Sequence, residues 1–551
     1  MILLANYINR HSNKILFLIF SVFFCTGTLL FKDFGVSIDE EFHRFSGFYW
    51  LNYVIQFLPF ENLKELVLIK INNINGFTLP DPEYFPAYGI IFDLPLAYLE
   101  TVLHLNNPKN IFLLRHFVNF LIFFTSSIFF YKLLLNRFSN FNISIIGTIF
   151  YITSPRIFGN SFYNNKDLVF LSIVTIALYF CFKNFDNLKL KNLILFALFS
   201  ALATSARIYG IFLPLSFVLM YFFYILDNKI NFNIFYKIIF FLLSYLIFLI
   251  ILWPYLWEAP LNNFFIALAQ FSKHHLEIKM LFFGKYISSN ILPISYIPSW
   301  IIFTTPLITL ILFFLGFYYM VKRVLLRFIN IKKKSNYSEL WRNINEKKDL
   351  YIFLNFSIIF LYLIFADIIL YNGWRQIYFL NIFLIYIVTY SLYILFTFNK
   401  NLKLKFYSNL FLILFFIFIV SKLAVYHPYQ SFYFNSLTSN ELKKNMEIDY
   451  WGISGVKFLK KVLEIDKKNK ISIGVASYLP LERSMVFLEK KQRNRINIVG
   501  QDYEIADYIF DSNISEVDKN INTKYNVPKN LIKIEEFTIE KATVFKIYKK
   551  S

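Results

Sequence analysis

Charge is scarce in this sequence, and so are the residues that bend a chain or cross-link it. Asp, Glu, Lys and Arg make up 17% of the 551 residues, beside 15 Gly, 16 Pro and 2 Cys. Cys25 and Cys181 both fall inside long apolar runs, so they carry no information on disulfides or redox compartment. No internal repeat is visible, and no aromatic-basic nucleic-acid module appears. The first apolar run follows a basic start but has no small-residue cleavage pattern, and ten more runs follow it. It therefore reads as a retained anchor rather than a signal peptide.

What is abundant is apolar and aromatic surface: 57% hydrophobic residues, with 71 Phe and 38 Tyr. Such a composition belongs in a bilayer. Part of it reflects a Phe, Ile, Lys and Asn bias of the kind an AT-rich genome produces, which dilutes any argument from aromatic content alone. Eleven apolar stretches span or nearly span a membrane: 15–31, 117–135, 143–152, 168–182, 193–202, 211–226, 238–253, 300–321, 350–370, 377–396 and 410–420. A span needs roughly 17 to 25 residues, so the third, fifth and eleventh must borrow from their flanks. With the N-terminus (Arg10, Lys14) inside, the inside loops carry Lys132 and Arg137, then Lys183, Lys189 and Lys191, then Lys229 and Lys237. The basic run 322–348, with Lys332, Lys333 and Lys334, and then Lys400, Lys403 and Lys405 complete the set. The positive-inside rule is met at every inside loop. Much of the formal +21 charge is thus topological and faces anionic headgroups, not nucleic acid.

An odd count places the termini on opposite sides. Four outer pieces remain: a long first loop 32–116, a loop 154–167, a loop 254–299, and residues 424–551. The last reads as a small α/β domain, with an amphipathic helix over 453–463 and strands at 470–476, 495–499, 507–510 and 541–550. It offers no phosphate-binding Gly-rich loop and no Ser-His-Asp or Cys-His spacing. The chain is accordingly expected to be a polytopic α-helical membrane protein (1–423) with a C-terminal α/β domain (424–551) on the outer face.

Three adjacent acids, Asp39, Glu40 and Glu41, follow the first span. Ser37 and Glu40 have capping-box spacing, so one reading is a well-capped helix start. Phe42, Phe45 and Tyr49 then recur at helical spacing, as in a helix lying on the membrane surface. The other reading is a carboxylate held rigidly where a lipid-linked substrate presents its headgroup. The segment 154–170 adds Arg156, Lys166 and Asp167; Lys166 can snorkel, whereas Asp167 is too short to and needs a partner or a cation. Arg115, beside His116, and Arg207 and Arg375 lie on the same side. Each alone suits a structural ion pair; together they suit an outward phosphate site.

This arrangement resembles the GT-C superfamily of polytopic glycosyltransferases, and within it the branch of the protein O-mannosyltransferases and lipid A aminoarabinose transferases. The residues that carry the resemblance are the acid pair Asp39–Glu40, Asp167 in "NNKD", "ARIYG", "NGWRQ", and "HPYQSFYFN" with "DYWG", over roughly 13–452. The resemblance implies sugar transfer from a polyprenyl-phosphate donor, with Asp39 as the catalytic acid of the first loop. Glu41 offers a shifted pair, in which Glu40 is the operative residue. In such a reaction a carboxylate takes the acceptor proton with inversion, while Arg207 and Arg375, with Arg115 or Lys166, hold the departing phosphate. Asp167 orients the acceptor or the base, or shares a magnesium or manganese ion with Glu40. The related branches differ in needing a metal, so the cation is optional.

In the loop 254–299, His274 and Glu277 are three apart and can bind a metal if helical, but an amphipathic helix shaping the substrate entrance accounts for the segment better. Tyr296, Trp300 and the segment 427–435 look like an interfacial aromatic belt, with His427 structural. Two rival classes remain: a flippase or permease, and a non-catalytic protein of envelope glycan assembly. Transporters are expected to show repeats or Gly- and Pro-broken helices meeting at mid-membrane, whereas here the notable ionisable residues gather at one face. The sugar and the acceptor, whether lipid, glycan or protein, are not legible. A prokaryotic inner membrane with the outer face periplasmic is the working frame.

Overall fold

The computed structural model describes residues 12–74, 89–227, 232–272, 277–329, 341–366, 368–398 and 401–550. Arg10, Lys229, His274, Lys332, Lys333, Lys334 and Lys400 lie outside them. In chain order the helices are α1 (Ser12–Leu30), α2 (Glu40–Ile55), α3 (Glu61–Asn72), α4 (Asp93–Val102), α5 (Pro108–Phe138), α6 (Phe141–Ile152), α7 (Pro155–Tyr163), α8 (Asp167–Asp186), α9 (Leu190–Ala206) and α10 (Phe212–Asp227). There follow α11 (Phe232–Leu252), α12 (Pro260–Ser272), α13 (Tyr296–Thr304), α14 (Leu307–Ile329), α15 (Ile344–Phe365), α16 (Leu380–Phe398), α17 (Leu402–Val425), α18 (Asn440–Lys444), α19 (Gly455–Ile465) and α20 (Lys490–Arg493).

Eight described helices are long and apolar enough to cross a membrane: α1, α5, α8, α11, α14, α15, α16 and α17. Three shorter apolar stretches, α6, α9 and 208–222, complete the bundle. The chain is thus a multi-pass membrane protein. Helices α8 and α16 form its buried centre, while α1, α11 and α17 turn apolar side chains such as Phe17, Leu246 and Phe411 outward. An apolar exterior is what a lipid solvent demands, and helices satisfy their own backbone there. The many Asn residues find a use at helix starts: Asn107, Asn140, Asn343 and Asn401 each accept a first-turn N–H.

Several expected boundaries move, each for a local reason. The run 300–321 is two helices, α13 and α14, because Pro306 has no N–H to give and forces Thr305 into extended backbone. The run 410–420 is the middle of the 24-residue α17. The short run 143–152 stays short because the chain continues through Ser154 into α7, all nine of whose residues are buried. What reads as an outer loop at 154–167 is therefore mostly a buried helix. Tyr296, Trp300, Tyr429, Phe432 and Phe434 are likewise core residues and not a belt. His427 ties the loops together, with Nε2 2.9 Å from Asp33 and Nδ1 3.1 Å from Gln430.

At one end of the bundle Asp349 accepts two bonds from Arg137 at 2.6 Å, one from Arg323 at 2.7 Å and one from the Tyr386 hydroxyl at 2.7 Å, joining α5, α14, α15 and α16. Its neighbour Lys348 pairs with Asp186 at the last residue of α8. Asp167, the first residue of α8, marks the opposite end, about 30 Å away at 1.5 Å per residue.

The loop 254–299 contains helix α12, but after residue 277 it becomes a hairpin, β1 (Lys279–Phe282) and β2 (Lys285–Ser288), turned at Phe283–Gly284 with both φ positive. Glu277 consequently sits outside any helix and pairs with Lys279 at 2.6 Å. The C-terminal sheet has strands β3 (Ile471–Ala476), β4 (Ile496–Gly500), β5 (Tyr508–Asp511), β6 (Leu531–Ile539) and β7 (Ala542–Lys550), in the order β4-β3-β5-β7-β6. Strand β3 is parallel to β4 and β5, and β7 is antiparallel to β5 and β6. Phe458 of α19 packs against Phe510 and Phe545 of the sheet.

Candidate functional site

The three adjacent acids point three ways. Asp39 precedes the first turn of α2 and accepts from Arg375 at 2.6 Å. Glu40, 1% exposed, accepts the Ser37 N–H at 2.6 Å and lies 3.0 Å from His116 Nε2. Glu41 accepts from Arg483 at 2.9 Å. The capping box is thus half formed, since the Ser37 hydroxyl turns to the Tyr163 carbonyl instead. Of the three acids only Asp39 lines a cavity at this end of the bundle, of ≈ 470 Å³.

The opposite wall is built by the start of α8. Asn164 accepts the Asp167 N–H at 2.9 Å and donates to Asp167 Oδ2 at 3.1 Å, while Arg207 donates to Oδ1. Arg207 reaches there because α9 ends at Ala206 and its own backbone is extended. Arg375 sits in the turn between α15 and α16, its guanidinium 5.0 Å from the Tyr371 ring and 4.5 Å from the Trp451 ring. The "DYWG" segment shapes this wall: Asp449 accepts the N–H groups of Gly452, Ile453 and Ser454, and Gly452 takes φ +76°, which glycine adopts without strain. The Trp451 carbonyl then accepts the Ile38 N–H at 2.9 Å, fixing the residue before Asp39.

The structure brings Asp39, Lys166, Asp167, Arg207 and Arg375 together on this cavity; Glu40 and Arg115 do not line it. Arg115 is buried behind it in an ion pair with Asp93, which also accepts from Asn165 at 3.3 Å and lies 3.6 Å from His43. Arg156 is buried too, between the Trp300 and Phe434 rings. Of the two carboxylates raised for a shared cation, Asp167 faces the cavity and Glu40 faces His116.

No protein-family model matches this sequence, and no curated protein matches it.

Several lining residues carried no signal in the sequence. His43 is one turn along α2 from Asp39; Glu447 comes from just before "DYWG"; Tyr478, Pro480, Arg483, Ile514 and Ser515 come from the C-terminal domain, which roofs the cavity. Arg483 fastens the roof, donating to Glu41 and to the Ile38 carbonyl. Phe42 and Tyr478, 38% and 43% exposed, offer ring surface to an occupant.

The electrostatics are uneven by construction. Burial alone would raise the Asp39 carboxyl, but Arg375 outweighs it, with help from His43 and Lys166, and holds it at about 2. Burial, reinforced by Lys166, keeps His43 neutral, pushed down to about 3. Lys166 is itself driven well below the ordinary lysine range by burial and by Arg207. Lys166, Arg207, Arg375 and Arg483 face the cavity against the carboxylates of Asp39 and Asp167 and the carboxyl of Glu447. Cations crowded in a low-dielectric pocket favour an anionic occupant.

Proposed function

We propose that the chain is an integral-membrane glycosyltransferase of the GT-C type, moving a sugar from a polyprenyl-phosphate carrier to an acceptor on the outer, periplasmic face. One observation carries the reading: four separate chain segments deliver two carboxylates, two guanidinium groups and an amine, Asp39, Asp167, Arg207, Arg375 and Lys166, to one cavity at one end of an apolar bundle. Its volume suits a sugar phosphate, and its position suits a donor whose tail stays in lipid.

The chemistry follows from this geometry. The acceptor oxygen attacks the anomeric carbon as the bond from that carbon to the phosphate oxygen breaks. The acceptor proton passes to Asp39, and polyprenyl phosphate leaves with the electron pair. Arg207, Arg375 and Lys166 meet the charge that grows on the leaving group. The donor phosphate competes with Asp39 for Arg375. When it wins, Asp39 loses its closest cation and becomes a better base. Asp167, clamped by Asn164 and Arg207, orients the acceptor.

The test is release of polyprenyl phosphate and labelling of an acceptor when the purified chain is given polyprenyl-phosphate sugars and a native-membrane extract. Transfer that disappears in Asp39→Asn supports the reading. No transfer with any donor would return the chain to the transport or assembly classes.

A further inference from the structure

Glu447 stands apart from the other acids of the cavity. It is 2% exposed, yet among the described residues no Lys, Arg or His forms an ion pair with it. Its backbone N–H is pinned to the Leu281 carbonyl of β1 at 3.2 Å, and its Oε2 receives the Asn372 amide at a long 3.5 Å. Asn372 is itself fixed, in left-handed backbone at φ +58° with its N–H on Met280 Sδ at 3.2 Å. Four residues on, Gln376 lines the same cavity with its Oε1 buried and unpartnered among the described residues. A buried acid without a cation is costly as an anion, and a buried amide oxygen without a donor is costly as it stands. Both deficits are met by one group, a hydroxyl that accepts from a carboxylic acid and donates to an amide oxygen.

Resting on the glycosyltransferase reading, we propose that Glu447, Asn372 and Gln376 form the subsite that reads a hydroxyl of the transferred sugar, with Glu447 donating as an uncharged acid. The charged and titratable groups that face Glu447 are Arg375, already engaged by Asp39, and the phenols of Tyr286 on β2 and Tyr296 on α13. Burial outweighs Asn372, Leu281 and Arg375 and lifts the carboxyl to about 8, so at neutral pH it keeps its proton. A site built around a substrate hydroxyl discriminates far more sharply than an apolar pocket, because rejecting the wrong sugar leaves buried polar groups unpaired. Glu447 is thus a specificity residue, while Asp39 serves the chemistry.

The experiment uses the full chain in lipid nanodiscs with polyprenyl-phosphate mannose, glucose, galactose and arabinose as probes. Glu447→Gln, which keeps a neutral donor, is expected to retain kcat/KM within about 3-fold and to lack the fall in rate above pH 8 that is expected of the unmodified chain. Glu447→Ala is expected to lose about 10- to 100-fold in kcat/KM and to discriminate less among the four sugars. Infrared difference spectra of the unmodified chain against Glu447→Gln, recorded without donor, are expected to show a protonated carboxyl that titrates away near pH 8. If Gln loses as much activity as Ala, or the carboxyl is ionised at pH 7, the subsite is refuted while transfer by the unmodified chain still upholds the enzyme. If the unmodified chain transfers none of the four sugars, the enzyme reading fails and the subsite with it.

Discussion

Asp39 and Glu40 are neighbours in sequence and opposites in setting. Asp39 opens onto the cavity and holds Arg375; Glu40 is sealed against Ser37 and His116. Removing each should therefore fail differently. Asp39→Asn is expected to lower kcat by about 10²- to 10⁴-fold with little change in melting temperature. Glu40→Ala strands the Ser37 N–H and His116 and should cost about 1–3 kcal/mol, read by thermal unfolding in detergent. Arg115→Met leaves Asp93 buried without its cation, for a loss of about 3–5 kcal/mol. The capping-box spacing was visible in sequence, but which acid faces inward was not. That is decided by partners 336 positions away at Arg375 and 442 positions away at Arg483. His43 and Glu447 had no local pattern at all, since each matters only through what packs around it.

At the scale of elements, apolar runs forecast membrane helices well, because in lipid length and composition nearly suffice. They fail where the chain breaks or dives. Pro306 splits one run, and α7 hides a polar-looking segment in the core by packing its Gly159 face on Gln430 and Ser431. Strand β6, with its burial irregular along "LIKIEEFTI", showed too weak an alternation to be read. Helix α2 packs its buried side on α4 and leaves Phe42, Phe45 and Tyr49 on its less buried side, and Gly47 marks the crossing: a Cβ there would stand 2.4 Å from the Asp93 carbonyl oxygen. Gly47→Val should push the helices apart and cost about 1–3 kcal/mol. Because Asp93 carries Arg115 and adjoins His43, the same change should also reduce turnover through a displaced Asp39.

For the whole molecule, the C-terminal domain roofs the site. It meets the loop after α1 and the start of α2 through Arg483, so Arg483→Ala is expected to lower kcat about tenfold and to speed proteolysis between the two parts. Glu447 also links stability to pH. Its folded carboxyl sits at about 8 against an ordinary 4.5, so its contribution is fully present below about pH 4.5 and is lost as pH rises through 8. The melting temperature of the unmodified chain should consequently fall between pH 5 and 8 more steeply than that of Glu447→Gln, by differential scanning calorimetry. The central claim is that Asp39, and not its neighbour, faces a lipid-linked sugar across the cations of this cavity. Sugar transfer from polyprenyl-phosphate donors, with donor binding measured in parallel, tests it by comparing the unmodified chain with Asp39→Asn and Glu40→Gln. The account predicts that Asp39→Asn binds donor without turning it over, while Glu40→Gln, where folded, still transfers. Equal turnover in all three would contradict it.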